Sequence, residues 1–363
     1  MVPKAVGPRG HRRNRGGAIG RAVAGGAGVP LWQTGGPIVL ESCLSLDSSS
    51  PLTPRMAALL ERIHRANRPA FHDLTARDAR IAYRMGAEIL DLPRAPLARV
   101  EDLTIPGPAG ALAARLYAPA PREAGAPLPL TLYFHGGGFT IGGLETHDSL
   151  CRQLARRSGA AVIALDYRLA PEHRFPAAVD DAWAAMRWLG AHAGTLGLDG
   201  TRLAVAGDSA GGTLAAACAL HARDTGQPLA LQLLITPGTT ALADTPSHAR
   251  FAKGYLLDAA SIAWFFANYI AADQRHDWRF APLEAEDHGG LAPACFVLAE
   301  ADPLVDEGVE YADRLRAAGV AADLEIYRGV THDFIKMGRS IPEALTAQAF
   351  CGQALRKALF DHE

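Results

Sequence analysis

The residues with the most chemical content lie between Leu203 and Gly212, where the chain reads Leu-Ala-Val-Ala-Gly-Asp-Ser-Ala-Gly-Gly. Ser209 is the centre of a G-x-S-x-G pattern. An apolar run leads directly into it, and an alanine-rich, helix-forming run leads directly out. A strand that turns this sharply into a helix holds the serine in a strained backbone conformation and lifts its hydroxyl above the sheet. Gly207 and Gly211 are then required, because a side chain at either would strike neighbouring backbone. The N-terminus of the following helix favours the negative charge that grows as a hydroxyl attacks a carbonyl. A serine so placed is a nucleophile for acyl transfer. The competing reading, in which Ser209 only caps the helix, leaves the coincidence of both flanks unexplained.

A second glycine cluster stands earlier, in Tyr133-Phe134-His135-Gly136-Gly137-Gly138-Phe139, again after an apolar run. Acyl transfer needs N–H donors aimed at the oxygen that becomes anionic. Glycines leave such N–H groups open to a ligand, and a loop of this type supplies one part of an oxyanion hole. The N–H of the residue after the nucleophile, Ala210, supplies another. His135 and Gly136 are read as supporting this loop. A phosphate-binding loop is excluded on pattern, since neither G-x-x-x-x-G-K-[ST] nor G-x-G-x-x-G occurs there.

Where this serine turn occurs, the acid and then the base follow the nucleophile in the chain. The apolar run Cys295–Ala299 ends in Glu300-Ala301-Asp302-Pro303-Leu304-Val305-Asp306. Asp302 lies just past a strand's C-terminal end, where the sites of open α/β sheets lie. It is preferred over Glu300, and over Asp306, which is expected to cap the next helix. After Asp302 the histidines are His332 and His362. His332 follows the run Leu324–Tyr327 and so falls at the next strand end, which selects it as base. His135 precedes the nucleophile and is disfavoured. Ser209, Asp302 and His332 thus form the candidate triad.

These residues need a scaffold that sets several strand ends side by side. Strand-like runs (Leu128–Phe134, Ala161–Leu165, Leu203–Ala206, Leu231–Ile235, Cys295–Ala299, Leu324–Tyr327) alternate with helix-like ones. The helix-like runs are His147–Ser158, Ala177–His192, Ala210–Arg223, Glu307–Ala318 and Ala344–Leu359. Such alternation predicts an α/β fold, a mostly parallel sheet with helices on both faces. Val100–Ile105 and Ala111–Tyr117 flank a Pro/Gly turn and read as a hairpin. Met56–Ala66 and Thr75–Leu90 carry apolar residues at helical spacing and read as amphipathic helices. Thr236–Leu283 breaks the alternation and holds an aromatic helical stretch, Asp258–Ile270 with Trp264, Phe265 and Phe266. The expected division is a disordered or irregular leader over 1–50, N-terminal cap helices over 51–95 and a core over 96–363. A cap insertion falls at about 240–283.

Composition narrows the remaining classes. A formal charge of -2 over 363 residues gives no electrostatic case for nucleic acid or a membrane surface. The five cysteines are scattered without a C-x-x-C pair, so neither a zinc site nor a disulfide framework is read, and a reducing compartment, the cytoplasm, is expected. No run of about 18 apolar residues marks a transmembrane span. The basic run His11–Arg15 before an Ala/Gly-rich segment has the outline of a signal peptide, but Arg21 and the glycines break its apolar part.

With these residues placed, the sequence resembles the bacterial hormone-sensitive-lipase-like esterases of the GDSAG subgroup. The resemblance is carried by His135–Phe139, Gly207–Gly212, Asp166–Glu172, Asp302–Leu304 and His332–Phe334. It implies an eight-stranded α/β-hydrolase core under a helical cap, a preference for short- to medium-chain acyl esters, and no cofactor. It maps the oxyanion hole onto Gly137 and Gly138, gives Asp166–Glu172 a supporting role and leaves a homodimer open. Asp333 departs from the pattern, which usually has glycine there. An amidase, lactonase or deacetylase could use the same triad. A ligand-binding shell, as in the related plant gibberellin receptors, would lack the working histidine that His332 supplies. No long basic amphipathic helix argues for an oil–water interface, so a dissolved ester is the expected substrate.

Overall fold

The computed structural model describes residues 51–121 and 126–360. The expected leader, Cys43 and His362 lie outside them. Two helices open the described chain. In α1 (Pro54–Arg65), proline stands in the first turn and the Thr53 hydroxyl accepts the Met56 N–H at 3.2 Å. Thr75 caps α2 (Ala76–Leu90) in the same way. The hairpin β1 (Arg99–Gly107) and β2 (Gly110–Ala118) pairs antiparallel through to Gly107 and Gly110, around the Pro/Gly turn.

The α/β alternation follows: β3 (Leu128–Phe134), α3 (Leu144–Ser158), β4 (Ala161–Asp166), α4 (Ala177–His192), β5 (Leu198–Asp208), α5 (Ala210–Thr225) and β6 (Leu231–Ile235). The insertion holds α6 (Pro246–Arg250) and α7 (Ala259–Tyr269). The chain closes with β7 (Ala294–Ala301), α8 (Val305–Ala317), β8 (Ala322–Thr331) and α9 (Pro342–Phe360). The eight strands lie in the order β1-β2-β4-β3-β5-β6-β7-β8. Among them β2 is antiparallel to both its neighbours, β1 and β4, and every other adjacent pair is parallel.

The pleat explains why the central strands read as continuous apolar runs. Leu130, Leu132 and Phe134 face one apolar cluster, with Leu203 and Val205, while Tyr133, Ala204 and Ala206 face the other. Helices cover both faces, so both sides of each strand are apolar. The small side chains of α5 let it lie close against the sheet, and twelve of its residues, from Ala210 to Ala222, are buried. Four cysteines, Cys151, Cys218, Cys295 and Cys351, are buried free thiols. Among the described residues no helix is long and apolar enough to cross a membrane.

Three local expectations are corrected. The strand read as Leu324–Tyr327 runs on to Thr331: β8 bulges against β7, so that Ala299 faces Tyr327 and Ala301 faces Thr331. Glu300 holds this bulge by accepting the Gly329 N–H at 2.8 Å, and Thr53 donates to the Gly329 carbonyl at 2.8 Å. Asp306 does not cap α8. Its carboxylate accepts the Ser247 N–H at 2.8 Å, in the first turn of α6, because the insertion folds back over the start of α8. In α2 the helical period is as read, but Ile81, Met85 and Ile89 point outward, 52%, 47% and 64% exposed. The helix is held from its opposite face, by polar contacts described below.

Candidate active site

The end of β5 turns into α5 through Ser209, whose φ of 52° and ψ of −122° lie outside the regions comfortable for a side-chain-bearing residue. Such strain costs about 1–3 kcal/mol and persists only where the surroundings enforce it. Here they do. A Cβ on Gly211 would fall 2.0 Å from the Phe134 carbonyl oxygen, and the Ser209 N–H is tied to the Ile235 carbonyl at 2.8 Å. Ser209 stands at the helix N-cap, yet its side chain makes no capping hydrogen bond. The hydroxyl is therefore not spent on the helix.

At the neighbouring strand ends, Asp302 follows β7 and His332 follows β8. His332 Nδ1 lies 2.7 Å from Asp302 Oδ2, and both residues are buried. The other carboxylate oxygen, Oδ1, accepts the Leu304 N–H at 3.0 Å, which fixes the rotamer. Burial opposes a charged imidazole, but the Asp302 charge and hydrogen bond outweigh it, so the pKa of His332 is raised from 6.5. Among the described residues no hydrogen bond joins Ser209 to His332; contacts of this kind tighten when substrate is bound.

The glycine loop lies between β3 and α3. No hydrogen bond among the described residues uses the N–H of Gly137 or Gly138, and that of Ala210, at the first position of α5, has no intrahelical partner. Gly138 has φ +55°, and a Cβ there would meet the Phe265 ring at 2.3 Å, so α7 lies directly on this loop. His135 stacks on Tyr167 with ring centres 4.2 Å apart, and its Nδ1 lies 2.8 Å from the Gly136 carbonyl. Burial, reinforced by His147, pushes the His135 pKa down to about 3. A pKa that low makes it a poor proton acceptor at neutral pH.

Several supporting residues had no reading from sequence. Asp208, beside the serine, is fully buried. Its carboxylate accepts the Tyr133 hydroxyl at 2.6 Å and the Gly136 N–H at 2.9 Å, and lies 3.0 Å from His147 Nε2. Burial alone would raise its pKa, but His147, Lys336 and Tyr133 hold it below the ordinary carboxylate value. The helix α3 begins at Leu144 rather than at His147, which puts His147 in its first turns beneath the glycine loop. Arg80 on α2 donates to the Thr140 carbonyl at 2.8 Å and the Ala170 carbonyl at 2.7 Å, and forks onto Glu172. The Asp166–Glu172 stretch thereby joins α2 to the glycine loop, with Arg168 gripping Asp181 and the Ala170 N–H donating to the Phe139 carbonyl. Glu307, buried beyond Asp302, accepts the Thr239 N–H, and burial lifts its pKa to about 8.

Comparisons with known proteins find the same fold and proteins named as ester hydrolases. The family model for the alpha/beta hydrolase fold matches residues 131–336. An ethyl acetate hydrolase of Pseudomonas putida is 42% identical over 85% of this chain and 99% of its own length. Esterase LipI of Mycobacterium tuberculosis is 44% identical over 71% and 82%. An ester hydrolase from the metagenome of Lake Arreo, solved with a bipyridine phosphonate derivative, superposes with a TM-score of 0.81 at 40% identity, over 84% of this chain and 98% of that one. With identity at this level over 71% and 85% of its length and the family model over residues 131–336, the chain belongs to the hormone-sensitive-lipase-like family of carboxylesterases, built on the α/β-hydrolase fold.

Proposed function

We propose that the protein hydrolyses short- to medium-chain carboxylic esters through an acyl-enzyme on Ser209. One observation carries the reading. A buried, carboxylate-bound imidazole stands at one strand end, and a strained serine whose hydroxyl caps nothing stands at another end of the same sheet edge. His332 takes the serine proton as Ser209 attacks the ester carbonyl, and Asp302 stabilises the imidazolium. The N–H groups of Gly137, Gly138 and Ala210 receive the oxyanion. His332 then protonates the departing alcohol. Water, deprotonated by the same imidazole, attacks the acyl-enzyme and releases the acid, with the proton returned to Ser209.

The helices α1 and α2 and the insertion are assigned as the cap. Phe265 of α7 covers Gly138, and His72, ahead of α2, lies 3.3 Å from the Ser261 hydroxyl of α7. Phe71, Tyr83, Trp264 and Phe265 gather there into one aromatic roof. The Pseudomonas putida relative is named for an acetate ester, which supports the short end of this range. The test is hydrolysis of p-nitrophenyl esters from acetate to palmitate. kcat/KM should peak at short to medium chains and fall by about 10²-fold or more toward palmitate, each lost apolar contact being worth roughly 1–3 kcal/mol. A maximum at palmitate would overturn the chain-length reading.

A further inference from the structure

The residue after the base departs from the family pattern, which usually has glycine there, and the departure has structural consequences. Asp333 has φ +68°, a left-handed conformation that favours glycine. The strained position holds a carboxylate with two partners. The Tyr83 hydroxyl of α2 donates to Asp333 Oδ2 at 3.0 Å, and Lys336 Nζ lies 3.3 Å from the same oxygen. Lys336 is 4% exposed. Its ammonium also donates to the Tyr83 hydroxyl and sits 4.3 Å from the centre of the Tyr83 ring. A buried ammonium is costly unless paired, so these three groups hold one another in place. Tyr83 continues into the cap roof through Phe71, with ring centres 6.0 Å apart.

We propose that Tyr83, Asp333 and Lys336 form a positioning device for His332, tying cap helix α2 to the turn that carries the base and setting the charge around it. This inference rests on His332 acting as the general base. Asp333 immediately follows His332, so its left-handed turn sets the direction in which the chain leaves the imidazole. The carboxyl groups around His332 are Asp302 at the end of β7, Asp208 at the end of β5, Asp333 itself, and Glu307 on α8, whose pKa of about 8 leaves it largely uncharged at neutral pH. Lys336, 3.3 Å from the Asp333 carboxylate, opposes it in charge, and each masks the other.

The opposition gives a test that a merely structural role would not pass. The acid limb of the kcat/KM profile, measured with a soluble p-nitrophenyl ester, reports the free enzyme's base. Asp333→Asn removes an anion beside the forming imidazolium and leaves the Lys336 cation uncompensated, so the midpoint should fall by roughly half a pH unit. Lys336→Met removes the cation and leaves the anion, so the midpoint should rise by about as much. Asp333→Gly, which suits the left-handed backbone, should shift in the same sense as Asp333→Asn and replaces it if the asparagine variant does not fold. Opposite shifts support the device. Unmoved midpoints, or midpoints moved in the same direction, overturn it. Ser209→Ala and His332→Ala run alongside: activity surviving in either overturns both this inference and the reading it rests on, whereas inactive controls with unmoved midpoints overturn this inference alone.

Discussion

Ser209→Ala should lose kcat for a soluble acetate ester by roughly 10⁶-fold, with little change in thermal stability. The size follows from what the hydroxyl does. Without it no acyl-enzyme forms, and water would have to attack the ester directly, aided only by the oxyanion donors and by binding. Stability should hold because the hydroxyl makes no capping hydrogen bond for the substitution to remove. Alanine must still adopt φ 52°, a strain the serine already carries. Residual activity within tenfold of the parent would mean that another group attacks the ester.

The second largest effect is expected at Asp302. Asp302→Asn preserves shape but offers His332 Nδ1 a neutral partner, which no longer selects the tautomer with Nε2 free or stabilises the imidazolium. The plateau of kcat should drop on the order of 10⁴-fold. The pH profile should move as well, and its sign is fixed. The base must be neutral to accept the serine proton, so kcat/KM rises as pH climbs through the pKa of His332. With Asp302 present that pKa is raised from 6.5, so the acid limb should lie above this value. Without the carboxylate, burial dominates and disfavours the charged ring, so the midpoint should fall. A lower plateau with an unmoved midpoint would show that Asp302 supports the loop without facing the imidazole. A plateau within tenfold of the parent would place the orienting carboxylate elsewhere, with Glu307, buried nearby, the first residue to replace.

The parts of this site legible in sequence are those with local causes. The turn at Ser209 is announced by a strand, two glycines and a helix within ten residues of chain, and the loop after β3 by consecutive glycines after a strand. Strand ends of a parallel sheet share one edge, so position along the chain predicts position in space, and Asp302 and His332 do meet, 2.7 Å apart. The supports of these residues carried no such mark. His147 and Asp208 are 61 residues apart and meet only because α3 packs beneath the glycine loop. Arg80 reads as one more arginine on an amphipathic helix until the fold brings Thr140, Ala170 and Glu172 around it. The same helix misled on burial: period locates a helical face, but which face turns inward depends on the tertiary partners, and here Arg80 and Tyr83 decided against the Ile81–Ile89 stripe. Asp306 was misplaced for a related reason. An acidic residue at a helix start suits capping, but the insertion supplied a nearer orphan N–H, that of Ser247.

Covalent trapping tests the central claim most directly. The protein would be treated with a p-nitrophenyl alkylphosphonate, the released p-nitrophenol counted, and the digested adduct located by mass spectrometry. A phosphonate is attacked by an activated serine and leaves a stable analogue of the tetrahedral intermediate in the oxyanion hole. The predicted result is one phosphonyl group per chain on the peptide carrying Ser209, ester hydrolysis lost in proportion to labelling, and no adduct in Ser209→Ala. Ester hydrolysis that persists with Ser209 fully labelled, or that is abolished by an adduct on another residue, would contradict the account.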